Sequence, residues 1–371
     1  MTRVSAVIKS LGPGGSERLL LEFARVASES GVGLSVISLL SQKQHLIPAI
    51  EQAGVPVSCV GVTSLKNAVW LPRLLRALRA SRPEVIHVHS PALAPAVRLA
   101  AHLRLLGLRR PRVVTTEHNR WSAYHPISRW LNAATALLDD ATIAVSEEVR
   151  RSIRPRVLAN RTITLRHGID VARVRAQQVN RQRLRQEWGV TDSEVVVVTV
   201  ANFRPQKNYP VLLRACALAT AKVPNLRFVV VGQGPGQQLV TDLHRELALG
   251  NSMLLLGYRE DATAVMAAGD VFTLSSDYEG LPVALMEALA TGLAIVCTAV
   301  GGVAETIGPD QGRLVTPNNP AALAEAIETV AADPALRAEL QVASRNLGDT
   351  FDVHTSAAAL SSLYRRLLRS R

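Results

Sequence analysis

Two carboxylates, Glu279 and Glu287, stand with seven residues between them in Ser276-Asp277-Tyr278-Glu279-Gly280-Leu281-Pro282-Val283-Ala284-Leu285-Met286-Glu287. The preceding run, residues 270–275 (DVFTLS), has the length and β-rich make-up of a buried strand, and Pro282 suits a helix start because its missing N–H is no loss there. The helix that follows is apolar on nearly every side yet carries Glu287 in its middle, and a buried carboxylate needs a partner. Glu279 lies in the loop ahead of it, and the free N–H groups of a helix start favour an anion between the two acids. A ligand with hydroxyls at both ends and phosphate in the middle, the layout of a nucleotide diphospho-sugar, satisfies all three features. The plainer alternative has Glu287 bonded to a neighbouring loop and Glu279 in solvent.

Other residues suited to anion or proton chemistry sit at comparable places. Gly14 and Gly15 follow a first apolar strand and precede Leu19, Leu20, Phe23 and Val26 at helical spacing, so backbone there can approach an anion, with Ser16 as the expected N-cap; a tight turn is the alternative. His89 ends the run 85–90, and Glu117, His118 and Asn119 follow the strand 112–116. A lone histidine at a strand end is also a common structural residue. Arg204 and Lys207 follow the unbroken β-branched run 194–200 and are placed either to hold phosphate or as ordinary loop cations.

The elements that position these residues alternate strand and helix, and each strand is apolar throughout. That pattern predicts α/β architecture with parallel sheets covered on both faces, and ligands then bind beyond the strands' carboxyl ends. The chain has 371 residues, too many for one ordinary core. Residues 1–185 carry 28 Lys and Arg against 11 Asp and Glu, net +17, whereas residues 186–371 carry 14 against 19, net −5. One half is strongly basic and the other mildly acidic, which argues for two domains meeting different partners.

The motifs together resemble the retaining nucleotide-sugar glycosyltransferases of group 1, or family 4. The residues carrying the resemblance are E-G-L-P-x-x-x-x-E from Glu279 to Glu287, G-G-x-E at Gly14-Gly15-Ser16-Glu17, T-x-H at Thr116-Glu117-His118, Pro205-Gln206-Lys207, and Gly232-Gln233-Gly234-Pro235. The resemblance implies the GT-B architecture, two Rossmann-like doubly wound domains facing across a cleft. Residues 1–170 would form the acceptor-side domain, 171–355 the nucleotide-sugar domain, and 356–371 a helix crossing back.

Carried over residue by residue, Glu279 holds hydroxyls of the donor sugar, Gly280, Leu281 and Pro282 meet sugar and diphosphate, and Glu287 binds the ribose. Gly14 and Gly15 face the diphosphate, Lys207 grips phosphate, and His118 lies over the reacting sugar. His89, Glu117 and Asn119 belong to the acceptor side. Two positions depart from the pattern: Asn202 stands where an Arg is usual, with Arg204 two residues later, and His167 in Leu165-Arg166-His167-Gly168-Ile169-Asp170 replaces Asn. Gly257-Tyr258-Arg259 resembles the turn that brackets the nucleotide base.

The implied reaction moves a sugar from a nucleotide diphospho-sugar to an acceptor hydroxyl with retention of configuration. His118 and Glu279 would be the catalytic pair. No D-x-D sequence occurs, so no metal or other cofactor is expected. Arg73, Arg76, Arg79 and Arg82 fall at near-helical spacing beside Leu71, Leu74, Leu75 and Leu78, and Arg98, Arg104, Arg109, Arg110 and Arg112 follow. Such a cationic amphipathic helix suits an anionic bilayer surface, with a merely solvated face as the alternative. A lipid-linked or cell-surface glycan acceptor follows as the expectation, with a cytoplasmic protein peripheral on the inner face of the membrane.

Other readings are an epimerase or sugar phosphorylase of the same fold, or a basic nucleic-acid-binding protein. Against the last stand the 4% aromatic content and the absence of a recognisable nucleic-acid module, so no nucleic-acid partner is expected. Cys59, Cys216 and Cys297 fit no metal or disulfide spacing and read as small buried residues.

Overall fold

The computed structural model describes residues 1–107 and 109–370. They form two compact units, one of residues 1–169 with 353–371 and one of residues 170–352. The first unit is built on β1 (Thr2–Ile8), β2 (Val32–Leu40), β3 (Val57–Val62), β4 (Val85–Val88), β5 (Arg112–Glu117), β6 (Ala141–Ala144) and β7 (Thr162–Thr164). The sheet order is β3-β2-β1-β4-β5-β6-β7, with every pairing parallel. The order reverses between β1 and β4, which makes the loops after those two strands the natural ligand position of this sheet.

Alternation along β1 serves two cores. Val4, Ala6 and Ile8 point to one, and Val7 points to the other, where Leu74, Leu78 and Val97 also pack. The first of these cores is completed from the far end of the sequence. Val353, Ala357, Leu360, Leu363 and Tyr364 of the terminal helix Val353–Arg369 are buried in it.

The second unit repeats the plan with β8 (Val195–Val200), β9 (Leu226–Val231), β10 (Met253–Leu255), β11 (Val271–Leu274), β12 (Ala294–Thr298) and β13 (Gly312–Val315), in the order β10-β9-β8-β11-β12-β13. All pairings are again parallel, and the reversal falls between β8 and β11. Val195 to Val198 and Phe228 to Val231 are buried, as continuous apolar strands of a doubly covered sheet must be.

Several expectations are corrected. Pro282 is the N-cap of helix Val283–Thr291 rather than its first residue, and Gly14, not Ser16, caps helix Gly15–Val26. Ser16 instead donates to Glu17 at 2.7 Å. Cys59 is exposed, while Cys216 and Cys297 are buried. The arginine-rich helix Trp70–Ser81 turns Leu74 and Leu78 into the core and leaves Arg73, Arg76 and Arg79 exposed beside Pro72 and Ala80, so its leucine stripe is largely taken up by packing. Arg98 is not a surface cation at all: it is 1% exposed.

Candidate functional site

In the second unit the loops after β8 and β11 are tied together at the sheet reversal. Lys207 forms an ion pair with Glu279, and Ser276 Oγ donates to the same Oε1 of Glu279 at 2.7 Å. Asp277 N donates to the Gln206 carbonyl at 2.9 Å, Ser275 Oγ to the Lys207 carbonyl at 2.8 Å, and Asn208 Nδ2 to Asp277 Oδ1 at 2.7 Å. The carboxylate of Glu279 is thus fixed by a cation and a hydroxyl, and Lys207 keeps further protons for an incoming anion.

The next loop locks in from the other side. Gly302 N donates to the Gly280 carbonyl at 2.6 Å, and a Cβ on Gly302 would lie 2.3 Å from that oxygen, so only glycine permits the approach. Gly280, Leu281 and Pro282 are buried, and Glu287, in the next turns of the helix, is 6% exposed. Arg204 is exposed at the mouth of the β8 loop, held by Phe203, which is 1% exposed. The backbone of Phe203 exchanges bonds with Gln233 at 3.0 Å and Gly236 at 2.9 Å, and a Cβ on Gly232 would lie 2.1 Å from the Ala201 carbonyl. The glycines after β9 therefore serve to seat the loop that carries Arg204 and Lys207. Arg259 is occupied by Asp261 and Glu187, and Tyr258 beside it is half exposed.

The first unit presents a column of histidines over its strand ends. His87 and His89 have ring centroids 4.1 Å apart, His89 and His118 5.4 Å, and His118 and His167 5.6 Å. His89 Nδ1 and His118 Nε2 lie 3.1 Å apart. His87 is held by Tyr364 Oη at 2.6 Å on Nδ1 and by Thr116 Oγ1 at 2.7 Å on Nε2. Burial, reinforced by the neighbouring rings, lowers the pKa of His87, His89 and His118 well below that of free histidine, and burial takes His167 down to about 4. The column is therefore neutral at physiological pH. Among the described residues, no group of three or more His, Cys, Asp or Glu is placed to hold a metal ion.

Glu117 sits apart from this column. It follows Thr115 on the face of β5 turned towards Arg98 and Asp139, it is 1% exposed, and its Oε2 accepts from Tyr124 Oη at 2.8 Å. Burial raises its carboxyl to about 7. That position separates it from His118, next to which the sequence puts it, and Asn119 is half-buried with its Oδ1 accepting from Arg120 N at 2.9 Å. At the other strand end, Gly14 precedes a helix start where Glu17 already folds back, since a Cβ on Gly14 would lie 2.3 Å from Glu17 Oε2. Sequence reasoning passed over His87, Tyr364 and Ser276. The signal for His87 was present, because His87 and His89 are two apart on a strand and share a face.

Comparison with known proteins bears on both units. Residues 180–347 match the model of "Glycosyl transferases group 1", and residues 13–173 match that of "Glycosyltransferase Family 4". The chain is 27% identical over 274 residues to the UDP-Gal:alpha-D-GlcNAc-diphosphoundecaprenol alpha-1,3-galactosyltransferase of Escherichia coli, covering 70% of this chain and 68% of that one. It is 26% identical over 385 residues to the 2-deoxystreptamine glucosyltransferase of Streptomyces kanamyceticus, covering 94% and 98%. Among solved structures, Anabaena Alr3699/HepE in complex with UDP-glucose superimposes with a TM-score of 0.84 at 20% identity, covering 100% of both chains.

Proposed function

This chain belongs to the glycosyltransferases of group 1 and family 4, and on that premise we propose that it moves a sugar from a nucleotide diphospho-sugar to the hydroxyl of a lipid-linked glycan, with retention of anomeric configuration. The observation that carries the reading is the Lys207–Glu279 pair at the sheet reversal of the second unit, backed by the Gly280–Gly302 pin. It sets a cation for phosphate beside a carboxylate for sugar hydroxyls. Glu287 takes the ribose, and Gly280 to Pro282 lie along the sugar and diphosphate.

In the reaction, the bond from the anomeric carbon to the diphosphate oxygen breaks and its electron pair leaves with the phosphate. The acceptor oxygen forms the new bond on the same face, and its proton passes to the departing phosphate oxygen. Lys207 and Arg204 stabilise the developing negative charge, which is an electrostatic task needing no metal. His118, neutral in its column, orients sugar or acceptor through a hydrogen bond rather than serving as an obligatory base.

The lipid-linked acceptor is supported by the diphosphoundecaprenol substrate named for the Escherichia coli relative, and by the basic charge of the first half. A cytoplasmic protein working at the inner face of the membrane fits that acceptor. Among the described residues, no helix is long and apolar enough to cross a membrane.

Thermal unfolding against a panel of nucleotide sugars tests the donor. A ligand at a hundredfold over its dissociation constant adds about 2.7 kcal/mol, and the gain should shrink in Lys207→Ala and Glu287→Gln. Failure of every nucleotide sugar to raise the melting temperature would refute the reading.

A further inference from the structure

Helix Pro126–Thr135 in the first unit is inside out. Two of its polar residues face inward, Asn132 at 0% and Thr135 at 8% exposure. Its apolar residues Ile127, Trp130, Leu131 and Ala134, at positions i, i+3, i+4 and i+7, are all exposed, with Ile127 at 65% and Trp130 at 69%. A soluble helix normally has the opposite arrangement, and burial of apolar surface is what usually holds one down.

Here polar bonds do that work. Arg98, on the adjoining helix Ala94–His102, donates from Nη1 to Asn132 Oδ1 at 2.8 Å and to Thr135 Oγ1 at 3.2 Å, and its Nε and Nη2 clasp Asp139 at 2.8 and 2.7 Å. Asn132 Nδ2 donates to the carbonyls of Pro91 and Ser128, each at 2.7 Å. With its inner face fastened in this way, the helix is free to present its apolar face outward. Leu99 and Leu103 are exposed on the neighbouring helix and just beyond it.

We propose that this face is a membrane-docking surface that inserts Ile127, Trp130 and Leu131 into the headgroup boundary of an anionic bilayer. Charge complementarity selects that occupant. Residues 85–138 contain seven arginines and a single acid, Glu117, which is itself buried, and Arg104, Arg109 and Arg129 are exposed. Apolar anchors with tryptophan, fringed by arginine and free of exposed acid, match an anionic lipid surface. A second copy of the chain fits less well, because a two-fold contact would set the same arginine-rich patch against itself. The surface gives a physical basis to the membrane-linked acceptor proposed above and rests on that reading for its purpose. It also takes the place of the helix Trp70–Ser81, whose Leu74 and Leu78 are buried in the core.

The test is co-sedimentation of the full chain with vesicles of phosphatidylglycerol and phosphatidylethanolamine, set against phosphatidylcholine. The unsubstituted protein should partition at least tenfold more strongly to the anionic vesicles. Ile127→Ser/Trp130→Ser should lower that partition at least tenfold, and Arg104→Gln and Arg129→Gln about fivefold each. Because these side chains are exposed, the melting temperature and its rise with nucleotide sugar should stay as in the unsubstituted chain. Equal binding by Ile127→Ser/Trp130→Ser overturns the proposal, as does binding indifferent to lipid charge. A dimer that dissociates in that variant would overturn it in favour of a second copy. A protein that docks on vesicles but is stabilised by no nucleotide sugar would fault the proposed reaction and leave the docking surface standing.

Discussion

His89 Nδ1 and His118 Nε2 share one hydrogen bond across 3.1 Å, so one neutral ring donates where the other accepts, and of His118 it is Nδ1 that remains for a ligand. His118→Ala should lower kcat by about a hundredfold or more while nucleotide binding weakens little. His89→Phe keeps an aromatic ring in the stack but frees His118 to turn, and should cost kcat about tenfold with KM for the donor nearly unchanged. Steady-state kinetics on the donor found by thermal shift would measure both. Unchanged turnover in His118→Ala would remove it from the reaction.

Lys207 and Glu279 also act as a unit. Removing either leaves the other charged and poorly solvated, so Lys207→Ala and Glu279→Ala should each weaken donor binding, and the double variant should lose less than the sum. A double-mutant cycle read by calorimetry should give a coupling of about 1–3 kcal/mol. Additive losses would mean that the two side chains act independently.

Gly302→Ala places a methyl group against the Gly280 carbonyl, with backbone rather than a flexible side chain as the obstacle. The Glu279–Pro282 loop must shift to admit it. We expect a stability loss of about 1–3 kcal/mol together with weaker donor binding, measured by denaturant unfolding and thermal shift. Gly31→Ala tests a different effect, since open space surrounds Gly31 but its φ is +76°. It should cost stability through backbone strain and leave donor binding intact.

Arg98 and Asp139 are buried together, with the pair bidentate. Arg98→Ala strands a carboxylate whose burial already raises its pKa, and should destabilise the protein by about 3–5 kcal/mol in urea unfolding. Loss below 1 kcal/mol would show that the helix Pro126–Thr135 is held by something else.

The pH dependence of stability combines opposed groups, of which His167 and Glu117 mark the two directions. His167 titrates at about 4 when folded against 6.5 for a free histidine, so the unfolded chain binds more protons between those values and stability rises with pH across that window. Glu117 titrates at about 7 against 4.5, so the folded chain binds more protons there and stability falls as pH rises from 4.5 to 7. The melting temperature of Glu117→Gln should therefore gain on that of the unsubstituted protein between pH 5 and 8. A constant difference would mean that Glu117 ionises normally.

Much of the fold was legible because each strand is a continuous apolar run ending in a polar or glycine loop. Lys207, Glu279 and His118 stand out for that reason: each lies beyond the carboxyl end of a strand, where parallel sheets place ligands. What escaped depends on distant partners. Arg98 reads as one more arginine in a basic stretch until Asn132, Thr135 and Asp139, more than thirty residues away, are folded over it. The histidine column is assembled from the ends of three strands, β4, β5 and β7, and steadied by Tyr364, so no local pattern announces it beyond His87 and His89 themselves. The orientation of helix Pro126–Thr135 was hidden because periodicity marks an apolar stripe without saying whether core or solvent receives it.

The terminal helix sets a schedule for synthesis. Leu360, Leu363 and Tyr364 fill the core of the unit that is made first, so residues 1–169 leave the ribosome with an open wall beneath β1, β4 and β5. Residues 170–352 carry all of their own strands and can close as they emerge. The unit translated second is thus the one able to finish first, and the earlier one must wait for helix Val353–Arg369 before His87 is clamped by Tyr364.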